Sequence, residues 1–171
     1  MVNFKHVTLS AYLEQMSSRE PVPGGGSAAA LTAALGAGLI SMVTRFSIGR
    51  KANTQAVEKR LANILRTSEA MRKRLLVLTT LDSQAYLKIV AARNLDARAR
   101  KKAARGAAAV GKEVCRLCYK AVDLTSFLAA KGNPHLMSDI EVALELLKAA
   151  FNASMVMVQV NRENSSRLAS G

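Results

Sequence analysis

The chain has 171 residues with 25 Lys+Arg against 12 Asp+Glu, a formal net charge of +13. Half of the residues are hydrophobic and 22% are charged, enough for one domain with one core, which argues against a disordered chain. Aromatic residues make up 4% and Trp is absent, so binding modes that stack bases on aromatic platforms have few residues to use. Three Pro, ten Gly and abundant Ala, Leu, Arg and Lys favour helix over sheet. Cys115 and Cys118, with no secretory signal, predict a reducing, cytoplasmic setting.

In chain order, Thr8 can cap a short helix to Ser17, with Leu9, Tyr12, Leu13 and Met16 on one face. The run REPVPGGG ends it, because Pro cannot continue the hydrogen-bond ladder. Ser27 is the expected N-cap of a second helix reaching Ile48. From Val22 to Thr44 there is no charge, and RFSIGRK follows, the outline of a membrane span with a basic flank. Its content is Ala, Gly, Ser and Thr more than Leu or Phe, which fits a buried helix that neighbours approach closely.

A third helix is predicted from Thr54 to about Leu95. Val57, Leu61, Ile64, Ser68, Met71, Leu75, Leu78, Asp82, Ala85 and Ile89 are spaced alternately by four and three, a heptad seam broken chemically at Ser68 and Asp82. Ala103, Ala107, Val110, Val114, Leu117, Ala121, Leu124 and Leu128 repeat the pattern in a fourth helix, with Gly132 as its C-terminal glycine. Ser138 and Glu141 form a capping-box pattern ahead of a fifth, along which Ile140, Leu144, Leu147, Phe151, Ser154, Val158 and Asn161 keep the period. The prediction is an all-α, mostly antiparallel bundle of about five helices, a single domain over 1–171.

A carboxylate on a core seam costs several kcal/mol to bury unless paired or protonated. Asp82 is therefore either a functional acid with a raised pKa or an edge residue bridged to one of the many cations. The loop Pro23–Ser27 places glycines ahead of a helix N-terminus, where backbone N–H groups can meet an anion; it also reads as a plain tight loop, and lacks the GK[ST] of a phosphate-binding loop. Cys115-x-x-Cys118 lies inside a helix without a second Cys pair, so two core thiols are expected rather than zinc. Arg98, Arg100, Lys101, Lys102 and Arg105 form one basic run and Arg72, Lys73 and Arg74 another; such runs are usually solvated faces but can attract a polyanion.

PVPGGGSAAAL at 21–31, GRK at 49–51, DSQAY at 82–86 and GNPHLMSD at 132–139 resemble the cyclodeaminase/cyclohydrolase family. That family includes methenyltetrahydrofolate cyclohydrolases and the cyclodeaminase domain of formiminotransferase-cyclodeaminase. The resemblance implies a bundle assembling as a dimer or higher, a folate substrate bound in a cleft, and no metal or other cofactor. It assigns Asp82 as the catalytic acid/base and Gly24, Gly25, Gly26, Ser27, Arg50, Lys51, Tyr86, Asn133, Ser138, Asp139 and Asn161 to substrate binding. It implies hydrolysis of 5,10-methenyltetrahydrofolate or cyclisation of 5-formimidotetrahydrofolate with release of ammonia. It further implies a polyglutamylated substrate and a formiminotransferase partner. Met157 stands where relatives commonly carry Asn, and the basic NLDARARKKAARG replaces a Pro-Lys and acidic stretch. The alternatives are a non-catalytic paralogue of the same fold and, further off, a basic nucleic-acid-binding protein.

Overall fold

The computed structural model describes residues 3–167, with side chains described to Glu163; the outermost residues of the expected domain lie outside that range. Its α-helices are α1 (Leu9–Ser17), α2 (Gly25–Ser47), α3 (Gln55–Ala92), α4 (Ala97–Lys131) and α5 (Met137–Arg167), with 3₁₀ turns at Phe4–His6 and Pro134–Leu136. Among the described residues there is no strand.

Each start has a local cause. Thr8, Thr54 and Asp96 cap α1, α3 and α4 by accepting N–H bonds from Ala11, Val57 and Ala99. Two predicted caps differ. The N-cap of α2 is Gly24, without a side-chain hydrogen bond, and Ser27 lies inside the first turn. The N-terminus of α5 is preceded by a 3₁₀ turn that Asn133 caps through His135 N–H at 3.1 Å, so Ser138 is the second helical residue. The third helix ends at Ala92, three residues earlier than expected, and the turn to the Asp96 cap uses the difference.

The four long helices run up and down. Gly26 at the start of α2 meets Asp82 late in α3, Arg74 of α3 bridges Glu113 of α4, and Cys115 of α4 meets the Phe151 carbonyl of α5. The predicted seams point inward: Leu61, Ile64, Ser68, Met71, Leu75 and Leu78 of α3 are buried, as are Val114, Leu117, Ala121 and Leu128 of α4. Ser68 keeps its core place because its hydroxyl accepts from Ser41 of α2 at 2.8 Å and itself donates to the Leu65 carbonyl.

α2 sits between α3 and α5, and small residues let it approach. A Cβ on Gly36 would come within 2.9 Å of Leu147 Cγ and 3.2 Å of the Ala143 carbonyl oxygen. Gly111 plays the same part between α4 and Val158 of α5. α2 and α3 are each long and apolar enough to cross a membrane by length and composition, and 61% of the α2 window is buried inside the bundle. In α1 only Tyr12 of the predicted face is buried; Leu9 and Leu13 are exposed, because the helix meets the bundle edge-on and Phe4 supplies the apolar partner, its ring at right angles to Tyr12 with centroids 5.3 Å apart.

Candidate active site

One end of the bundle gathers the N-terminus of α2, the C-terminal part of α3, the first turns of α4 and the last turns of α5. A cavity of about 250 Å³ lies there, lined by Gly24, Gly25, Gly26, Asp82, Tyr86 and Asn161 among the expected residues, and also by Pro21, Val22, Ile89, Ala107 and Met157. The glycine loop and the seam carboxylate, on different helices and far apart in sequence, therefore form one wall.

Asp82 has no ion pair among the described residues, which removes the edge-bridge alternative. Burial pushes its carboxyl up to about 6, and the Ser27 backbone N–H, which donates to it, pulls the other way. That donor is one of the unpaired N–H groups of the first turn of α2, so the positive end of this helix is aimed at the protein's own carboxylate. Gly26 must be glycine for this contact, since a Cβ there would overlap the Asp82 carboxylate. The loop thus holds an anion, as its sequence suggests, but the anion is a side chain.

A hydroxyl pair stands behind this contact. Ser27 Oγ and Tyr12 Oη are 2.9 Å apart and both residues are buried. Burial, opposed by the Ser27 bond and reinforced by the charge of Asp82, raises the Tyr12 phenol above its ordinary value, so it stays neutral beside the site. Tyr12 was not among the expected site residues; its place on the inner face of α1 was legible, its partner across the Pro/Gly loop was not.

Arg50, Lys51, Asn133, Ser138 and Asp139 lie elsewhere, beyond the opposite end of α2. Its 23 residues put that end roughly 30 Å from the Asp82 pocket at 1.5 Å per residue. There Arg50 donates to the Gly132 carbonyl, Asn133 N–H donates to Ser47 Oγ at 2.9 Å, and Asn53 Nδ2 donates to the Ser47 carbonyl at 2.8 Å. Gly132 is not left-handed (φ −74°); its missing side chain spares the Leu128 carbonyl. Lys51 and Ser138 are exposed and Asp139 is half-buried. The expected site residues form two groups at the two ends of the bundle.

A family model described as Formiminotransferase-cyclodeaminase matches residues 8–166. The chain belongs to the formiminotransferase-cyclodeaminase family. A methenyltetrahydrofolate cyclohydrolase of Methylorubrum extorquens is 35% identical over 90% of this chain and 78% of that protein. A formimidoyltransferase-cyclodeaminase of Gallus gallus is 29% identical over 90% of this chain, which spans 30% of that longer protein. The crystal structure of a formiminotetrahydrofolate cyclodeaminase from Thermotoga maritima superposes with a TM-score of 0.89 at 25% identity, covering 97% of this chain and 90% of the other.

In this family member Cys115 and Cys118 are free and buried, and burial pushes the Cys118 thiol up to about 12, as befits core thiols. Among the described residues no cluster of three or more His, Cys, Asp or Glu could hold a metal ion.

Proposed function

We propose that the protein is a folate one-carbon enzyme that hydrolyses 5,10-methenyltetrahydrofolate, with Asp82 as its acid/base. The observation that carries this reading is the half-buried carboxylate titrating near 6 in a pocket beside a glycine-lined helix N-terminus. Above that pH the ionised carboxylate stabilises the cationic N5/N10 bridge and takes a proton from water as the water oxygen bonds to the bridge carbon. One C–N bond then breaks: the departing nitrogen gains a proton, the new hydroxyl loses one, and the reaction releases one proton overall. The substrate carries its own electrophile, so the reading calls for no metal or further cofactor. Tyr86 and Asn161 line the pocket where they can orient the pterin.

Cyclodeamination is the second reading, supported by the solved relative, and uses the same carboxylate to move a proton from N10 and deliver one to the leaving ammonia. With that activity a formiminotransferase partner would supply the substrate, and the setting would be cytoplasmic.

We further propose a homodimer. The outward face of α2 carries Leu31, Leu35, Leu39, Met42 and Phe46, of which Leu35 is 56% and Phe46 63% exposed. A two-fold axis near the middle of α2 would set one copy's Arg50–Lys51 and Asn133–Asp139 end against the other's Asp82 pocket, uniting the two groups of site residues.

The test follows the methenyl absorbance of purified protein with each substrate. Loss from 5,10-methenyltetrahydrofolate is the expected result; gain from 5-formimidotetrahydrofolate selects the second reading, and no change with either identifies a non-catalytic paralogue.

A further inference from the structure

The segment ahead of the glycine loop touches both partners of the Ser27–Asp82 contact. At its start the Phe4 N–H donates to Thr80 Oγ1 at 2.8 Å, a buried bond to α3 two residues before Asp82. In α1, Tyr12 Oη lies 2.9 Å from Ser27 Oγ, and Gln15 Nε2 donates to the Val22 carbonyl at 3.1 Å. The Phe4 ring, edge-on to Tyr12, joins the two halves of the segment. Val22 lines the Asp82 cavity, so α1 is bonded to the loop on both sides of its glycines.

Leu9 and Leu13 are exposed, so these polar bonds and the Tyr12 ring are what hold α1 to the bundle. Ser27 is fully buried and serves two partners at once: its backbone N–H donates to the Asp82 carboxylate and its hydroxyl pairs with Tyr12. Both bonds leave the same residue, so the hydroxyl pair fixes the first turn of α2 in the place from which its N–H reaches the carboxylate. No cation lines the cavity. Its titratable side chains are Asp82 and, on the same helix, Tyr86; the loop, α2, α4 and α5 contribute only Pro, Val, Gly, Ala, Met and Asn. From α1 the Tyr12 phenol, kept neutral by burial, is close enough to feel the charge of Asp82. The Ser27 N–H therefore carries the hydrogen bond that favours the ionised carboxylate.

We infer that Tyr12 is a positioning residue for Asp82: through the Ser27 hydroxyl it holds the first turn of α2 where its N–H meets the carboxylate. That Asp82 is an acid/base rests on the folate reading above, whereas the hold on its carboxylate is measurable without substrate. Without the Tyr12 hydroxyl, Ser27 Oγ loses its buried partner, the turn is free to draw back, and the N–H bond to the carboxylate weakens. Because that bond favours the charged form, its weakening lets the carboxyl keep its proton to higher pH.

The experiment is a carbon-13 NMR titration of the Asp carboxyls in substrate-free protein, the Asp82 signal assigned by its loss in Asp82→Asn, alongside the pH profile of methenyl hydrolysis. In Tyr12→Phe the Asp82 midpoint is expected to move up by about 0.5–1 pH unit, part of a charge-assisted hydrogen bond being lost, and the rise in turnover to move with it. Ser27→Ala removes the other hydroxyl and keeps the N–H; it is expected to move the midpoint equally, and the double variant no further, since all three lose the same contact. Leu13→Ala, an exposed change on the same helix, leaves the midpoint in place. A folded Tyr12→Phe or Ser27→Ala whose Asp82 midpoint matches that of the unaltered protein, or falls below it, overturns the positioning role: the hydroxyl pair then serves stability alone. A midpoint that moves up as expected, in a protein whose unaltered form turns over neither folate, supports the positioning of the carboxylate and overturns the folate reading instead.

Discussion

Ionising Asp82 costs the folded chain free energy. Its carboxyl titrates near 6 in the fold and near 4 in an unfolded chain, so the folded state holds the proton more tightly and the ionised form weighs against folding. This cost is absent below about pH 4, develops between the two values, and is complete above about 6, where a gap of two units corresponds to about 3 kcal/mol. Asp82→Asn keeps an acceptor for the Ser27 N–H and removes the charge. Its melting temperature is expected to exceed that of the unaltered protein by about 6–12 °C at pH 7.5, with the gain gone at pH 4; scanning calorimetry at both values checks this, and a lower melting temperature at pH 7.5 would contradict the buried charge. Asp82 was legible in the sequence because a carboxylate interrupts an apolar seam. Tyr12 was not, because its hydroxyl finds Ser27 only once the Pro/Gly loop has brought the first turn of α2 up to α1.

At the scale of helices, the seams read from spacing alone point into the core, because heptad period and shallow packing are the same geometric fact. Boundaries were less legible. Ser27 has the chemistry of an N-cap, yet the glycines ahead of it can enter the helix, and the first-turn N–H groups are needed by a carboxylate on another element. The small residues of α2 gave close approach without saying to what; the structure names Ala143 and Leu147 at Gly36. Gly36→Ala is expected to destabilise the protein by about 1–3 kcal/mol, since the added methyl meets a backbone carbonyl that cannot step aside. Gly38→Ala, whose Cβ would meet only the Arg72 side chain at 3.7 Å, is expected to be neutral or mildly stabilising. Urea unfolding of the pair decides it, and equal stabilities would contradict the α2–α5 contact as the reason for Gly36.

At the scale of the molecule, the order of motifs along the chain concealed that they sort to two ends. Up-and-down helices put Pro23–Ser27 with Asp82 and Asn161, and Gly49–Lys51 with Gly132–Asp139, a helix length away. The apolar outward face of α2 runs between the two groups, and in the proposed homodimer a second copy packed there would join them. Lys51→Glu and Asp82→Asn are each expected to be nearly inactive alone. Co-refolded in equal amounts, they are expected to recover about a quarter of the native sites, because half the dimers are mixed and each holds one intact site. No recovery in a mixture shown to exchange subunits would place Lys51 outside the shared site.

In the proposed reaction the carboxylate of Asp82 carries the chemistry. The most direct measurement is the pH profile of 5,10-methenyltetrahydrofolate hydrolysis, corrected for the uncatalysed rate, for the unaltered protein and for Asp82→Asn. Turnover of the unaltered protein is expected to rise with pH to a plateau above about 6, following ionisation of the carboxylate, and to fall by about 10²–10⁴-fold in the variant with that rise abolished. A variant of unchanged helicity that hydrolyses the substrate at the native rate, with the same rise near pH 6, would contradict it.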